Sequence, residues 1–190
     1  MKKLLAVVII LFWLSVPTLA ISGSSPSPGD WTGNVNVFLG FKYLDEDEWE
    51  PTDEQDEFGI ELDFKQQGWP VSIAIDYLSG SGDGTYAGIE FESETSELNL
   101  GVRKIWDASP TIRPFIGGGI AFITGEFGGL GLSEEDDAVG FWLGGGIYWT
   151  LAEHFNIGFE GKVSSADVTL FGVDADAGGT HIGLLAGFHW

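Results

Sequence analysis

Serine and histidine offer one route to nucleophilic chemistry in this 190-residue chain, which has three histidines and no cysteine. A serine hydroxyl becomes a nucleophile when an imidazole stands within hydrogen-bond reach and a carboxylate orients that imidazole. His181 comes near Ser164 or Ser165 if the segments that carry them are neighbours, whereas His154 falls in a short turn and His189 lies next to the last residue. All three also read as ordinary polar lining or turn residues. Without cysteine there are no disulfides, thiol nucleophiles or thiolate metal sites.

Carboxylates are the second resource. Asp45–Glu57 holds nine of them and Glu134–Asp137 four more. Oxygen-rich runs suit calcium or magnesium, but a calcium loop needs acidic residues at fixed spacing and a glycine at its sharp turn. Asp45 and Asp47 are followed by Trp49 with no such glycine, and Asp174-Ala-Asp-Ala-Gly178 is an equally partial match. No metal or cofactor is therefore expected, and the runs read as solvated, self-repelling segments.

A third set of charges sits inside runs of alternating apolar residues. It comprises Lys42, Glu61, Asp63, Lys65, Asp76, Glu97, Arg103, Arg113, Glu160 and Lys162, five acids and five bases. The clearest run is Phe58-Gly-Ile-Glu-Leu-Asp-Phe64, where aromatic and aliphatic residues alternate with Gly59, Glu61 and Asp63. Side chains on a strand point to opposite faces with a period of two, so one face is apolar and the other charged.

Eight such strands are predicted, over 31–44, 58–65, 71–78, 96–106, 112–123, 138–150, 155–163 and 180–190. The connections between them alternate in length. Short turns fall at 66–70, 107–111 and 151–154, and long loops at 45–57, 79–95, 124–137 and 164–179. This alternation is that of an up-and-down barrel whose two rims face different compartments. Alternation also continues through Tyr86–Glu94 and Asp167–Val173, so strands are expected to project beyond the membrane. The fold class is therefore all-β, an eight-stranded antiparallel up-and-down transmembrane β-barrel.

Which face is inside follows from volume and charge. An eight-stranded barrel has an interior just wide enough to be filled by side chains. The large apolar set (Val35, Leu39 and Phe41 on the first strand, Ile182, Leu184 and Phe188 on the last) overfills that interior and so faces lipid. The ten charges then face inward, where each must be paired and hydrogen-bonded or cost several kcal/mol. We expect an internal salt-bridge network that plugs the lumen. Lys104 alone among the basic residues past position 20 lies on the outward face, near a strand end where its amine reaches the interface. Five of the seven tryptophans past position 20, Trp31, Trp69, Trp106, Trp149 and Trp190, fall at the short-turn rim. Tyr43, Phe58, Tyr77 and Phe122 fall at the other rim. Rings with one wet edge favour the membrane–water boundary, so Trp31, Tyr43, Tyr77, Trp106, Trp149 and Trp190 are read as interface girdles.

The N-terminus has the form of a secretory signal. Lys2 and Lys3 precede the apolar stretch Leu4–Val16, and small residues surround a cleavage point after Ala20. The domain plan is thus a signal peptide over 1–20, a flexible leader over 21–30 and the barrel over 31–190. Loss of Lys2 and Lys3 leaves six basic residues against 29 acidic, a net charge of −23 that excludes a nucleic-acid partner. Such acidity suits disorder, but 44% hydrophobic and 14% aromatic residues do not.

Three segments carry a family likeness: Glu97-Leu-Asn-Leu-Gly-Val-Arg103, Arg113-Pro-Phe-Ile-Gly-Gly-Gly-Ile-Ala121 and Gly183-Leu-Leu-Ala-Gly-Phe-His-Trp190. In these the chain resembles the eight-stranded outer-membrane barrels of the OmpA, OmpX and OmpW type, over its whole length past the signal. The resemblance implies the outer membrane of a Gram-negative cell envelope, outer-membrane lipid and lipopolysaccharide as surroundings, and the barrel-assembly machinery as a partner during insertion. The last strand resembles the signal that machinery reads, with Trp190 where phenylalanine is usual. The function expected is non-enzymatic, with acidic loops displayed for envelope integrity, adhesion or interaction; the sequence names no surface partner. Two alternatives stay open. One is a narrow, porin-like channel or small hydrophobic-solute binder along inward glycines at 117, 119, 140, 144, 146, 183 and 187. The other is a lipid-modifying enzyme at His181, although that residue has inward parity, away from lipid.

Overall fold

The computed structural model describes residues 30–107, 109, 111–152 and 154–190; the expected signal segment, and the leader apart from Asp30, lie outside them. Eight long strands close a ring: β1 (Trp31–Tyr43), β2 (Glu54–Gln66), β3 (Ser72–Tyr86), β4 (Ile89–Ile105), β5 (Ile112–Gly129), β6 (Leu132–Leu151), β7 (Phe155–Ser165) and, after a separate hairpin of β8 (Asp167–Leu170) and β9 (Val173–Asp176), β10 (Gly179–His189). Each ring strand pairs antiparallel with its neighbours, and β10 returns to β1 with Lys42 opposite His181. Trp190 completes this seam: it exchanges backbone hydrogen bonds with Gly33, each 3.1 Å, and its indole lies where Gly33 has no side chain.

Hydrophobicity is distributed inside out. Leu39, Ile120, Phe141 and Leu184 are each more than half exposed, while Lys42, Glu61, Asp76, Arg103 and Glu160 are fully buried. Water does not favour that arrangement; a hydrocarbon surround does. The girdle aromatics Trp31, Tyr43, Tyr77, Trp106, Trp149 and Trp190 all lie on the exposed face, and Trp31 packs against Trp69 and Phe64 at 5.6 and 5.8 Å.

The connections at the long end differ from the sequence expectation. Much of 79–95 and 124–137 is paired strand instead of loop, and β3–β4 and β5–β6 end in the two-residue turns Ala87-Gly88 and Leu130-Gly131. Both residues of each turn have positive φ (53° and 83°, 55° and 79°), as do Phe171 and Gly172 between β8 and β9. Two successive left-handed residues make the type I′ turn that matches strand twist. Its usual signal is Asn-Gly or Asp-Gly, so Ala-Gly, Leu-Gly and Phe-Gly are easily passed over. The left-handed conformation costs an ordinary residue roughly 1–2 kcal/mol, which the added ladder of cross-strand pairs offsets.

The acidic segment after β1 is not wholly solvated either. It contains a one-turn helix, α1 (Glu46–Trp49), started by the Asp45 carboxylate accepting from the Asp47 N–H at 2.9 Å. That turn drives Trp49 into the mouth of the barrel, where it is buried against Gly125, Phe127, Val168 and Ala177. Its indole N–H donates to the Asp176 carbonyl at 2.8 Å. The Asp176 side chain in turn accepts from Ser165, Ala166 and Gly178, tying the β8–β9 hairpin to the rim.

Candidate functional site

Alternation puts the charged side chains on one face, and the strand registers decide which of them meet. Glu61 on β2 stands directly opposite Asp76 on β3, a pairing of like charges that is unfavourable unless cations intervene. Two do. Arg103 on β4 donates through Nη1 to Glu61 at 3.2 Å and through Nη2 to Asp76 at 3.1 Å. Lys162 on β7 reaches the same pair, at 3.1 Å to Glu61 and 2.9 Å to Asp76. Asp63 lies 3.6 Å from Arg103, and Glu160 lies 3.6 Å from both cations. The Tyr148 hydroxyl accepts from Arg103 at 3.0 Å. Phe115 lies under the guanidinium at 5.0 Å and Trp142 under the ammonium at 5.2 Å, so each cation also rests on an aromatic face.

A second cluster lies nearer the long end. The Lys42 amine donates to Glu97 at 2.8 Å, Thr95 at 3.0 Å and the Ala177 carbonyl at 2.7 Å, which links the lumen to the segment beneath Trp49. His181 stands 2.9 Å from Glu57 through Nδ1 and 2.9 Å from Ser164 through Nε2. Serine, imidazole and carboxylate are thus in line, as a hydrolytic triad requires. The rest of the geometry opposes catalysis. Glu97 approaches Nε2 at 3.3 Å and accepts from the Ser164 hydroxyl at 2.9 Å, so a carboxylate faces each ring nitrogen and the serine proton is already engaged. An imidazole that donates on both sides has no lone pair with which to act as a base. His181 is also fully buried beneath the mouth.

The remaining two predicted residues stand apart. Lys65 and Arg113 lie at the short-turn end, around a polar cavity of about 170 Å³ lined also by Asp63, Asp107 and His189. Arg113 faces the exposed Asp107 at 3.4 Å and His189 at 2.9 Å, and among the described residues Lys65 joins no ion pair. The inward glycines do not line open space. A Cβ at Gly117 meets the Trp142 ring at 2.9 Å, one at Gly146 meets Phe115 at 2.8 Å, and one at Gly183 meets Phe38 at 2.5 Å.

At the far tips of β3–β6 an open groove of about 730 Å³ runs between the two hairpins, lined by Glu90, Glu92, Glu94 and Glu126 with Leu130 and Leu132. No lysine or arginine occurs in 43–64, 79–102, 124–161 or 163–180, and among the described residues none lines this groove.

No family model matches the chain, and no curated protein matches it by sequence. Solved structures do. Ail, the attachment invasion locus protein of Yersinia pestis, aligns with a TM-score of 0.59 at 12% identity, over 86% of this chain and 100% of that one. Neisserial surface protein A gives 0.54 at 8% identity, over 84% and 94%. The outer membrane protein OprG from Pseudomonas aeruginosa gives 0.53 at 12% identity, over 85% and 96%. The chain has the fold of the small eight-stranded outer-membrane barrels.

Several residues of this barrel's interior escape a sequence reading. Glu57 falls outside a strand taken to begin at Phe58, although Gln55 and Glu57 continue the period of two into Gly59 and Glu61. Asn34, Asn36 and Asn156 form a polar layer below the cations, with Asn156 donating to Asn34 at 2.7 Å and Asn34 to Asp63 at 2.8 Å. Their inward parity was the available signal.

Proposed function

We propose that this protein is a non-enzymatic outer-membrane β-barrel whose filled lumen conducts no solute and whose acidic hairpins form a display at the cell surface. On this reading the segment through Ala20 directs export and is removed, the long hairpins face outward, and lipid and lipopolysaccharide surround the apolar stripe. The barrel-assembly machinery would recognise the last strand. The observation that carries the reading is the fully buried Arg103–Lys162 layer, in which two cations from β4 and β7 bridge carboxylates from β2, β3 and β7 across the lumen. A rigid scaffold that commits its lumen to packing leaves its surface loops as the place for function.

The surface chemistry narrows the partner. One solved structure of Ail holds the heparin analogue sucrose octasulfate, a polyanion. The outward segments of this chain carry carboxylates and no lysine or arginine, so a partner here is cationic or neutral. Planar-bilayer recording of the refolded protein tests the filled lumen. We expect a silent bilayer, and reproducible unit openings that bulky replacements of Gly144 or Gly146 abolish would replace this reading with a channel.

A further inference from the structure

The buried charges do not balance. Of the five inward bases, Lys65 and Arg113 stay at the partly exposed short-turn end, and Lys42 is engaged with Glu97. The central layer is left with Arg103 and Lys162 against Glu61, Asp63, Asp76 and Glu160, two positive charges facing four carboxyl groups, and no member is more than 2% exposed. Ions taken out of water must be compensated, and two excess negative charges in one dry layer are not. The hydrogen bonding shows where the deficit lies. Among the described residues neither carboxylate oxygen of Glu160 accepts a hydrogen bond, and Oδ1 of Asp76 and Oδ2 of Asp63 are likewise unsatisfied. Both cations spend their short contacts on Glu61 and Asp76, Arg103 also on the Tyr148 hydroxyl, and stand 3.6 Å from Glu160.

We propose that the centre of the lumen is a proton-binding site, the proton held on Glu160 among Glu61, Asp63, Asp76, Arg103 and Lys162. A metal ion does not suit the place, because among the described residues no three carboxylate or imidazole side chains converge as metal ligands. Apart from Asp63, which stands 3.6 Å from Arg103, the other groups facing it are neutral: Tyr148 and Trp142 from β6, Phe115 from β5 and Asn36 from β1. Asp63 belongs both to this layer and to the lining of the cavity of about 170 Å³ at the short-turn end, so exchange with solvent proceeds from there. The site rests on the filled-lumen reading. The two fail separately, because conductance reads whether the lumen is closed and the measurements below read its charge.

The mature chain, refolded in detergent, is examined by infrared spectroscopy in H₂O and D₂O. Its melting midpoint is followed in sodium or potassium chloride and in N-methylglucamine chloride at equal ionic strength. A bound proton gives the carbonyl stretch of a buried carboxylic acid, shifted by deuterium and absent from Glu160→Gln. A higher midpoint in sodium or potassium without such a band overturns the proton in favour of a bound metal ion. If the wild type shows no such band, the proposal is overturned. A band that survives Glu160→Gln overturns the placement on Glu160. Glutamine copies the neutral acid in shape and charge, so a Glu160→Gln chain that cannot fold also counts against a proton there.

Discussion

The middle of the barrel and its wide mouth are filled by unlike materials on the same walls. In the middle, Arg103 and Lys162 cross the lumen to carboxylates on β2, β3 and β7, with asparagines and a tyrosine hydroxyl around them. At the mouth, Trp49 enters from outside and meets Gly125, Val168 and Ala177, with its indole N–H as the one polar contact it needs. The first layer is made from residues that the strands themselves carry, so its members are fixed by register and each depends on the others. The second is made by a connecting segment folding back, so it can be lost without unpairing a strand. Buried ions are poor sources of net stability, yet removing one partner is severe. Apolar filling has the reverse character, stabilising in proportion to volume and failing gradually.

The largest effect that follows is for Arg103→Leu. It leaves four carboxyl groups with Lys162 alone and the Tyr148 hydroxyl with only the longer contact from Asn36, and an uncompensated buried charge costs about 3–5 kcal/mol. Denaturant unfolding in lipid, read by the loss of the fast-migrating folded band on unheated gels, is expected to show that fall across the whole barrel. A loss below about 1 kcal/mol would mean that the guanidinium is not the hub of the layer.

Trp49→Ala is expected to act elsewhere. Removing a buried tryptophan costs about 3 kcal/mol, but the loss should stay at the mouth. Amide exchange is expected to quicken in β8, β9 and the segment around Ala177 while the strands keep their protection. Equal acceleration in the middle of β2 and β4 would show that the two layers are one cooperative unit. Lys42 is the contact through which that could happen, since it bonds both Glu97 and the Ala177 carbonyl.

The same contrast explains what could be read from the chain alone. Alternation is local, so Phe58–Phe64 reports its own strand and its own two faces, and eight such reports give the barrel. Parity says nothing about height along the barrel axis. Lys65 and Arg103 share an inward face in the sequence pattern, yet one stands at the rim and the other at the centre. Glu57 and His181 meet only because β1 brings β2 and β10 to its two sides. Trp49 was hidden for a different reason: its site is assembled from β5, β8 and the stretch before β10, and an acidic run offers no periodicity to announce it. The type I′ turns were missed because the first turn residue is Ala, Leu or Phe, leaving one glycine as the signal.

Lys65→Met gives the smallest effect and sharpens the comparison most. Lys65 has the same parity as Glu61 and Asp63 on β2, so a rule based on parity alone places it in the ionic layer. Its position at the short-turn rim, partly exposed and joined to no carboxylate among the described residues, places it with ordinary surface charges instead. Substitutions of that kind fall within about 0.5 kcal/mol of the parent, and methionine keeps the stem that packs along the wall. The unfolding midpoint of Lys65→Met should therefore match the wild type within error under the conditions that separate Arg103→Leu. A loss approaching 2 kcal/mol would place the amine on Asp63, extend the ionic layer to the rim, and reduce the central charge deficit by one.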